Sequence, residues 1–397
     1  MEPMLNRRYF FLGSLGLAAA CSRNDPEPSA ASSASLELSD FEPRSALVTP
    51  KTAVERASSP AIDVHAHVFW STGLAKLDDP DAKPLIPPDE QYAEIIRWMD
   101  ELNLETLINL NSGWGDELAL AIDSFTGVGA GRFTACTEPA WVRVSEPDYP
   151  AWQADELGRA KSAGAVGLKV LKVLGLFLRE EGKLVAVDDS RFDPMWEAAG
   201  ELGLPVFIHT ADPDAFFTPI DRHNERWEEL AAHPDWSFYG SDFPSKAELI
   251  AARDRVIERH PRTNFVCLHV GNQSENLAEV GARLDRFPNM YVETGARLGE
   301  LGRQPRASRR FFEAYQDRIL FGTDAVPLPE GEKYPQQTLV PDMYQRYFRF
   351  FETEDEYFDY SPAPTPPQGR WKIYGIGLPE AIQRKVYREN AARLLTL

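Results

Sequence analysis

From Pro60 to the end of the chain, short apolar runs alternate with stretches whose apolar residues recur at helical spacing. The runs predict eight strands. The first lies within residues 61–69, and the others cover 104–110, 131–136, 165–172, 204–209, 263–269, 289–293 and 318–324. Helices are predicted between and after them, at 90–102, 116–124, 152–160, 192–201, 246–258, 275–284, 306–315 and 380–395. In the first of these, Ile95, Ile96, Trp98 and Met99 fall on helical spacing. Strands that alternate with helices predict parallel βαβ units. Eight such units predict an α/β fold, a single-domain (β/α)8 TIM barrel with loop insertions. Two stretches exceed an ordinary connection, residues 212–243 and 325–378. Loops of that length serve as lids or binding elements, or run as solvated surface excursions.

Polar residues stand at the C-terminal ends of these runs. The first run ends in His65-Ala-His67, and residues i and i+2 of a strand face one side. Lys169, His209, His269 and Asp324 end later runs. Singly each has a bland reading: a rim histidine, or an aspartate that caps the next helix. Barrel enzymes, however, keep their active sites on this rim. Two imidazoles from strand one, a third from strand five and a carboxylate from strand eight make a His3Asp set. Such a set suits Zn²⁺ or another borderline divalent ion, with one position open to water. His223, His233 and His260 lie in loops or beside prolines and are read as surface or packing residues.

The rest of the chain narrows the setting. A formal net charge of −19 argues against a nucleic-acid partner and an anionic membrane surface. Residues 1–21 are read as a targeting segment. Arg7-Arg8, an aromatic residue two positions later and a short apolar run resemble a twin-arginine export signal. That run is too short to span a bilayer. Export to the periplasm or cell envelope follows, with Cys21 as a candidate lipid anchor. Residues 22–59 are rich in Ser, Ala, Pro and Glu and are expected to be a disordered linker, so that the folded domain covers 60–397. Cys136 and Cys267 lie in predicted strands, as small buried hydrophobes.

On Asp63-Val-His-Ala-His67, Val206-Phe-Ile-His209, Leu268-His269 and Phe321-Gly-Thr-Asp324 the chain resembles the amidohydrolase superfamily of metal-dependent TIM-barrel enzymes. More narrowly, it is similar to the amidohydrolase-related branch of hydrolases and metal-dependent decarboxylases. Residues 387–395 also resemble the family's terminal helix. The resemblance implies that His65, His67, His209 and Asp324 approach one metal ion. It also implies that Asp324 takes a proton from water and that His269 is catalytic or supports the ligands. Binuclear relatives carry a carboxylated lysine at the end of strand four. Here a single ion is expected, with Lys169 as a substrate-binding or structural cation. Lys169 and Lys172 would face opposite sides of a continuing strand. Asp212, Glu293 and Arg297 are candidate substrate contacts, with acceptance from a metal ligand as a second role for Glu293; a common Asp-Pro turn and a structural ion pair are the alternatives. The expected activity is hydrolysis of an amide, ester or lactone in a small molecule, with His269 stabilising the oxyanion. Non-oxidative decarboxylation on the same scaffold is the alternative, and an exported binding protein with an inactive barrel is a third reading.

Overall fold

Eight short parallel strands form one sheet: β1 Ala61–Ala66, β2 Leu104–Asn109, β3 Phe133–Thr137, β4 Gly167–Val170, β5 Val206–Ile208, β6 Phe265–Cys267, β7 Met290–Glu293 and β8 Ile319–Leu320. They are ordered as in the chain, each hydrogen-bonded to the next. The computed structural model describes Glu37, Phe41 and residues 43–397, apart from 74, 80, 130, 329–331, 333, 334 and 364–367. Arg7, Arg8 and Cys21 lie outside the described residues. Past β8 the chain returns to β1. Val64 N donates to Phe321 O at 3.0 Å, Asp324 N to His65 O at 2.7 Å and His67 N to Ala325 O at 2.8 Å. The (β/α)8 barrel is nearly closed.

Parallel strands covered on both faces read as apolar runs. Ile62, Val64, Ile108, Cys136, Phe207, Val266 and Leu320 accordingly form one buried cluster with Ala391, Leu394 and Leu395 of the last helix. That helix is continuous, but its middle turn, Lys385–Glu389, is a π turn between Glu380–Arg384 and Asn390–Leu395. The Val386 carbonyl in this turn accepts from Phe321 N at 2.9 Å, so a freed carbonyl serves the end of β8.

Two expectations change. The folded body, Thr49–Leu397, begins before Pro60. Thr52 donates from N and Oγ1 to the Asp355 carboxylate at 2.7 and 2.8 Å, and Ala57 N to Leu102 O at 3.1 Å. The stretch 325–378 is also no mere surface excursion, since it contains the helix Pro341–Glu352. Tyr344, Tyr347, Phe348 and Phe351 recur on one face and surround Phe321, with ring centroids 5.9–6.5 Å away. The packing of β8 is therefore supplied by chain that follows it.

Asp63 ties this helix to the barrel closure. Its buried carboxylate accepts from His65 N at 3.0 Å, Thr323 N at 3.1 Å, Thr323 Oγ1 at 2.5 Å and Tyr344 Oη at 2.8 Å. Tyr344→Phe should cost about 1 kcal/mol, the net worth of one such bond, while keeping the ring packing. Urea unfolding measures it. A loss below a few tenths of a kcal/mol would show that the closure does not depend on this bond.

Candidate metal centre

The ends of β1 and β8 bring three side chains to one point. Asp324 Oδ1 lies 3.0 Å from His65 Nε2 and 2.9 Å from His67 Nε2, and the two ring nitrogens are 3.2 Å apart. His67 Nδ1 stands 2.7 Å from Asn111 Oδ1, just past β2. With Nδ1–H donated to that carbonyl oxygen, Nε2 keeps its lone pair and faces the other two donor atoms. Trp70 stacks on the outer face of the His67 ring at 4.9 Å. Two ring nitrogens and a carboxylate at such distances need a proton or a metal cation among them. Burial lowers the basicity of His65, but the Asp324 and Glu293 carboxylates outweigh it and hold its pKa above the usual value. Burial opposes ionisation of Asp324, yet the His65 charge keeps its carboxyl well below the usual range. A divalent ion fits this nitrogen–nitrogen–oxygen set.

A second group overlaps the first at His65. It comprises His65, His269 and Glu293, all buried. His269 follows β6 in a turn of the unusual hand. His269, Val270, Gly271 and Asn272 have φ of 56°, 55°, 65° and 58°, a single turn of left-handed helix. L-residues resist this by roughly 1–2 kcal/mol each, and the β-branched Val270 is a marked outlier. Side chains hold the turn in place. Glu293 Oε1 accepts from His269 N at 2.5 Å, Gly271 O accepts from Arg253 Nη1 at 2.8 Å, and Asn272 Oδ1 accepts from Thr210 N at 3.3 Å. Glu293 Oε1 also lies 3.2 Å from His65 Nδ1, an ion-pair distance off the hydrogen-bonding direction. Its Oε2 accepts from Gly295 N at 2.5 Å. Glu293 thus supports the centre from below and contacts no substrate space.

His269 Nδ1 stands 2.9 Å from Gly295 O. A carbonyl can only accept, so Nδ1 carries the proton and Nε2 is bare. Burial, helped by the Arg297 charge, pushes the His269 pKa well down, so the ring is neutral. The expectation that it stabilises an oxyanion fails on this point, because a bare Nε2 has no proton to donate.

His209 is near but outside both groups. Its ring packs on His269 with centroids 4.5 Å apart, while Nε2 turns to Ala211 O at 3.1 Å and Asp212 Oδ1 at 3.3 Å. Burial draws its pKa down to about 4. Asp212 also accepts from Lys172 Nζ at 2.5 Å. The expected alternation of Lys169 and Lys172 fails because β4 stops at Val170. Lys169 is buried, and burial lowers its pKa to about 8. Lys172 reaches the cavity beyond the strand end.

That cavity, of about 350 Å³, is lined by His209, His269, Asp324 and Arg297 together with Phe177, Phe216, Trp236 and Phe238. Arg297 is buried, and its Nη1 donates to its own neighbour's carbonyl, Ala296 O, at 2.8 Å. Among the described residues it pairs with no carboxylate, which removes the structural ion pair as its explanation. Arg226, by contrast, is bound by Glu229 at 2.9 Å and by Glu300. Gln337, from the 325–378 stretch, donates to Asp324 O at 3.1 Å and to Asp324 Oδ2. Asn111 and Gln337 escaped the sequence reading, and Asp63 entered it only as part of a motif, without its role in the closure. Asn111 at least left a signal, as a polar residue just past the second predicted strand. The histidines expected to be bystanders are so: His260 Nε2 meets Asp193 at 3.0 Å, His233 stacks on Trp236, and His223 is exposed.

A histidine and carboxylate centre on the C-terminal mouth of a parallel barrel defines a class of metal-centre scaffolds. The family model described as amidohydrolase matches residues 134–397, and the chain belongs to that family. The 2,6-dihydroxybenzoate decarboxylase from Rhizobium shares 17% identity and a TM-score of 0.52, over 85% of this chain and 99% of its own. A 2,6-dihydroxybenzoate decarboxylase complexed with 2,6-dihydroxybenzoate gives 18% and 0.51, over 85% and 100%. A dihydroxybenzoic acid decarboxylase from Polaromonas sp. JS666, with bound manganese and the inhibitor 2-nitroresorcinol, gives 18% and 0.51, over 85% and 97%. At these identities the likeness establishes the barrel. No curated protein sequence matches the chain.

One buried acid near the mouth gives a pH prediction. Glu138 follows β3, and burial raises its pKa from 4.5 to about 7 although Ser71 Oγ and Gly113 N donate to its Oε2 at 2.5 and 2.8 Å. The folded state therefore holds this proton more tightly than the unfolded chain. Its stabilising contribution is complete below about pH 4.5 and is lost as pH rises through about 7. Glu138→Gln keeps an oxygen for both donors and does not titrate. The difference in melting temperature between pH 5 and pH 8 should shrink in this variant, and an unchanged difference would show that Glu138 ionises at no cost.

Proposed function

We propose that the chain is a metal-dependent hydrolase that cleaves an amide, ester or lactone in a small carboxylate-bearing molecule. One observation carries the reading. The two cavity-lining groups that also belong to the histidine and carboxylate clusters, Asp324 and His269, are both acceptors: an ionised carboxylate and a bare imidazole nitrogen. Hydrolysis needs an acceptor for the proton of the attacking water. Protonation of a ring carbon after loss of CO₂ would need a donor there.

His65, His67 and Asp324 would hold one divalent ion, with His209 beside them. When bound, that ion supplies Lewis acidity and brings the acidity of water close to neutral pH. Zinc is the ion this donor set suits best. His269 accepts the water proton at Nε2 and returns it to the departing nitrogen or oxygen as the bond breaks, and its neutral state leaves Nε2 free at working pH. Glu293 and Arg253 hold the left-handed turn that aims it. Arg297 pairs with the substrate carboxylate through its planar guanidinium. The aromatic residues in the cavity lining accommodate a flat or apolar body.

Decarboxylation is the second reading. It is favoured by Arg297, which has no carboxylate within ion-pair distance among the described residues, and by the decarboxylases among the similar structures, one of them named with 2,6-dihydroxybenzoate and one with manganese. We read the N-terminal segment as an export signal that takes the protein to the periplasm or cell envelope. No helix among the described residues is long and apolar enough to cross a membrane.

Metal analysis of purified protein should find about one divalent ion per chain, lost in His65→Ala. A panel of lactones, N-acyl amino acids and hydroxybenzoates, assayed for both acid and CO₂ release, separates the two chemistries. Acid without CO₂ is expected; CO₂ from a hydroxybenzoate would replace the first reading with the second. His269→Asn should lower kcat by about 100-fold or more while keeping the metal. Full activity in metal-free protein would sink both readings.

A further inference from the structure

A second cavity, of about 680 Å³, shares no lining residue with the first. It lies along the helix Pro305–Ala314 and is lined by Arg303, Arg306, Arg309 and Arg310. The run Arg303-Gln-Pro-Arg-Ala-Ser-Arg-Arg310 holds four arginines and no acid, in a chain with 61 acidic and 42 basic residues. Arg303 is engaged by Glu225 at 2.9 Å and lies 3.9 Å over the Trp371 ring. Arg309 is engaged by Glu313 at 3.1 Å and Glu354 at 2.7 Å. Arg306 and Arg310 are exposed, and among the described residues neither pairs with a carboxylate. The lining contains one further acid, Glu356.

Arg306 and Arg310 stand four apart on one helical face, where like charges destabilise a helix. An oxyanion between them would relieve that repulsion, and planar guanidinium groups match the oxygens of phosphate in paired hydrogen bonds. Pro305, Ala307 and Tyr374 add apolar surface, and the volume exceeds what a bare oxyanion fills. From this we infer that the cavity binds a small organic phosphate monoester, its dianion on Arg306 and Arg310 and its organic part against Pro305 and Tyr374. The site is independent of the proposed hydrolysis.

Calorimetric titration of the full-length, metal-loaded protein with inorganic phosphate and with phenyl phosphate, at matched ionic strength, tests it. Saturable binding is expected, tighter for phenyl phosphate, with a rise in melting temperature. Arg306→Ala/Arg310→Ala should weaken it by about tenfold or more. Arg255→Ala/Arg262→Ala removes two exposed charges elsewhere and should leave it unchanged. Any phosphate held at the metal centre is common to all three proteins and cancels. Non-saturable heats, equal loss in both double variants, or undiminished binding in Arg306→Ala/Arg310→Ala would each overturn the site. Equal affinity for the two probes would overturn the organic part.

Discussion

The mouth of this barrel depends on one buried carboxylate. Glu293, at the end of β7, has no solvent exposure and is reached from three directions. The backbone of His269 and of Gly295 donates to it, and the His65 ring lies against it. Burial alone would keep it protonated, but the His65 charge and these donors hold it ionised, below the usual carboxylate range. An ion in so dry a place is stable only with its partners in position. The ends of β1, β6 and β7 are thereby fixed relative to one another by charge.

This anchoring explains why the chain tolerates unfavourable backbone at the same place. His269, Val270, Ala296 and Asp324 all have positive φ, and all lie within a few residues of the centre. Strain of this kind persists where the surroundings over-determine it. Here the surroundings are Glu293, Arg253 and the hydroxyl of Tyr347, which accepts from Ala296 N at 3.0 Å and donates to Thr323 O at 3.2 Å. The left-handed turn sets the His269 ring so that one nitrogen is spent on the Gly295 carbonyl and the other is left open. Backbone conformation has therefore chosen the tautomer.

Much of the barrel was legible because strands buried on both faces leave uninterrupted apolar runs, and the rim residues follow from where those runs stop. His65, His67 and Asp324 converge as strand-end spacing suggests. The remainder escaped for physical reasons. Alternation could not place Lys172, because β4 ends at Val170 and the period of two ends with it. Nor does spacing encode the rotation of the His209 ring, which is decided by Asp212 and a carbonyl. Gln337 meets Asp324 thirteen positions away in the chain, a contact without a local pattern. The helix Pro341–Glu352 did carry a legible aromatic stripe at i, i+3, i+4 and i+7. Its position after the last strand hid its role as packing for β8.

That helix has a consequence for how such a protein can change. The segment between β8 and the last helix carries Gln336 and Gln337, which line the cavity, and within a dozen residues Tyr344 and Tyr347, which brace the barrel closure. In many barrels the loops that select a substrate can be exchanged while the scaffold stays intact. Here the cavity-lining and bracing residues occupy one continuous stretch. A lineage that rebuilt this loop for a new substrate would risk the fold with each step. Diversification is freer in the 212–243 insertion, which contributes aromatic wall to the cavity without touching Asp63 or Thr323.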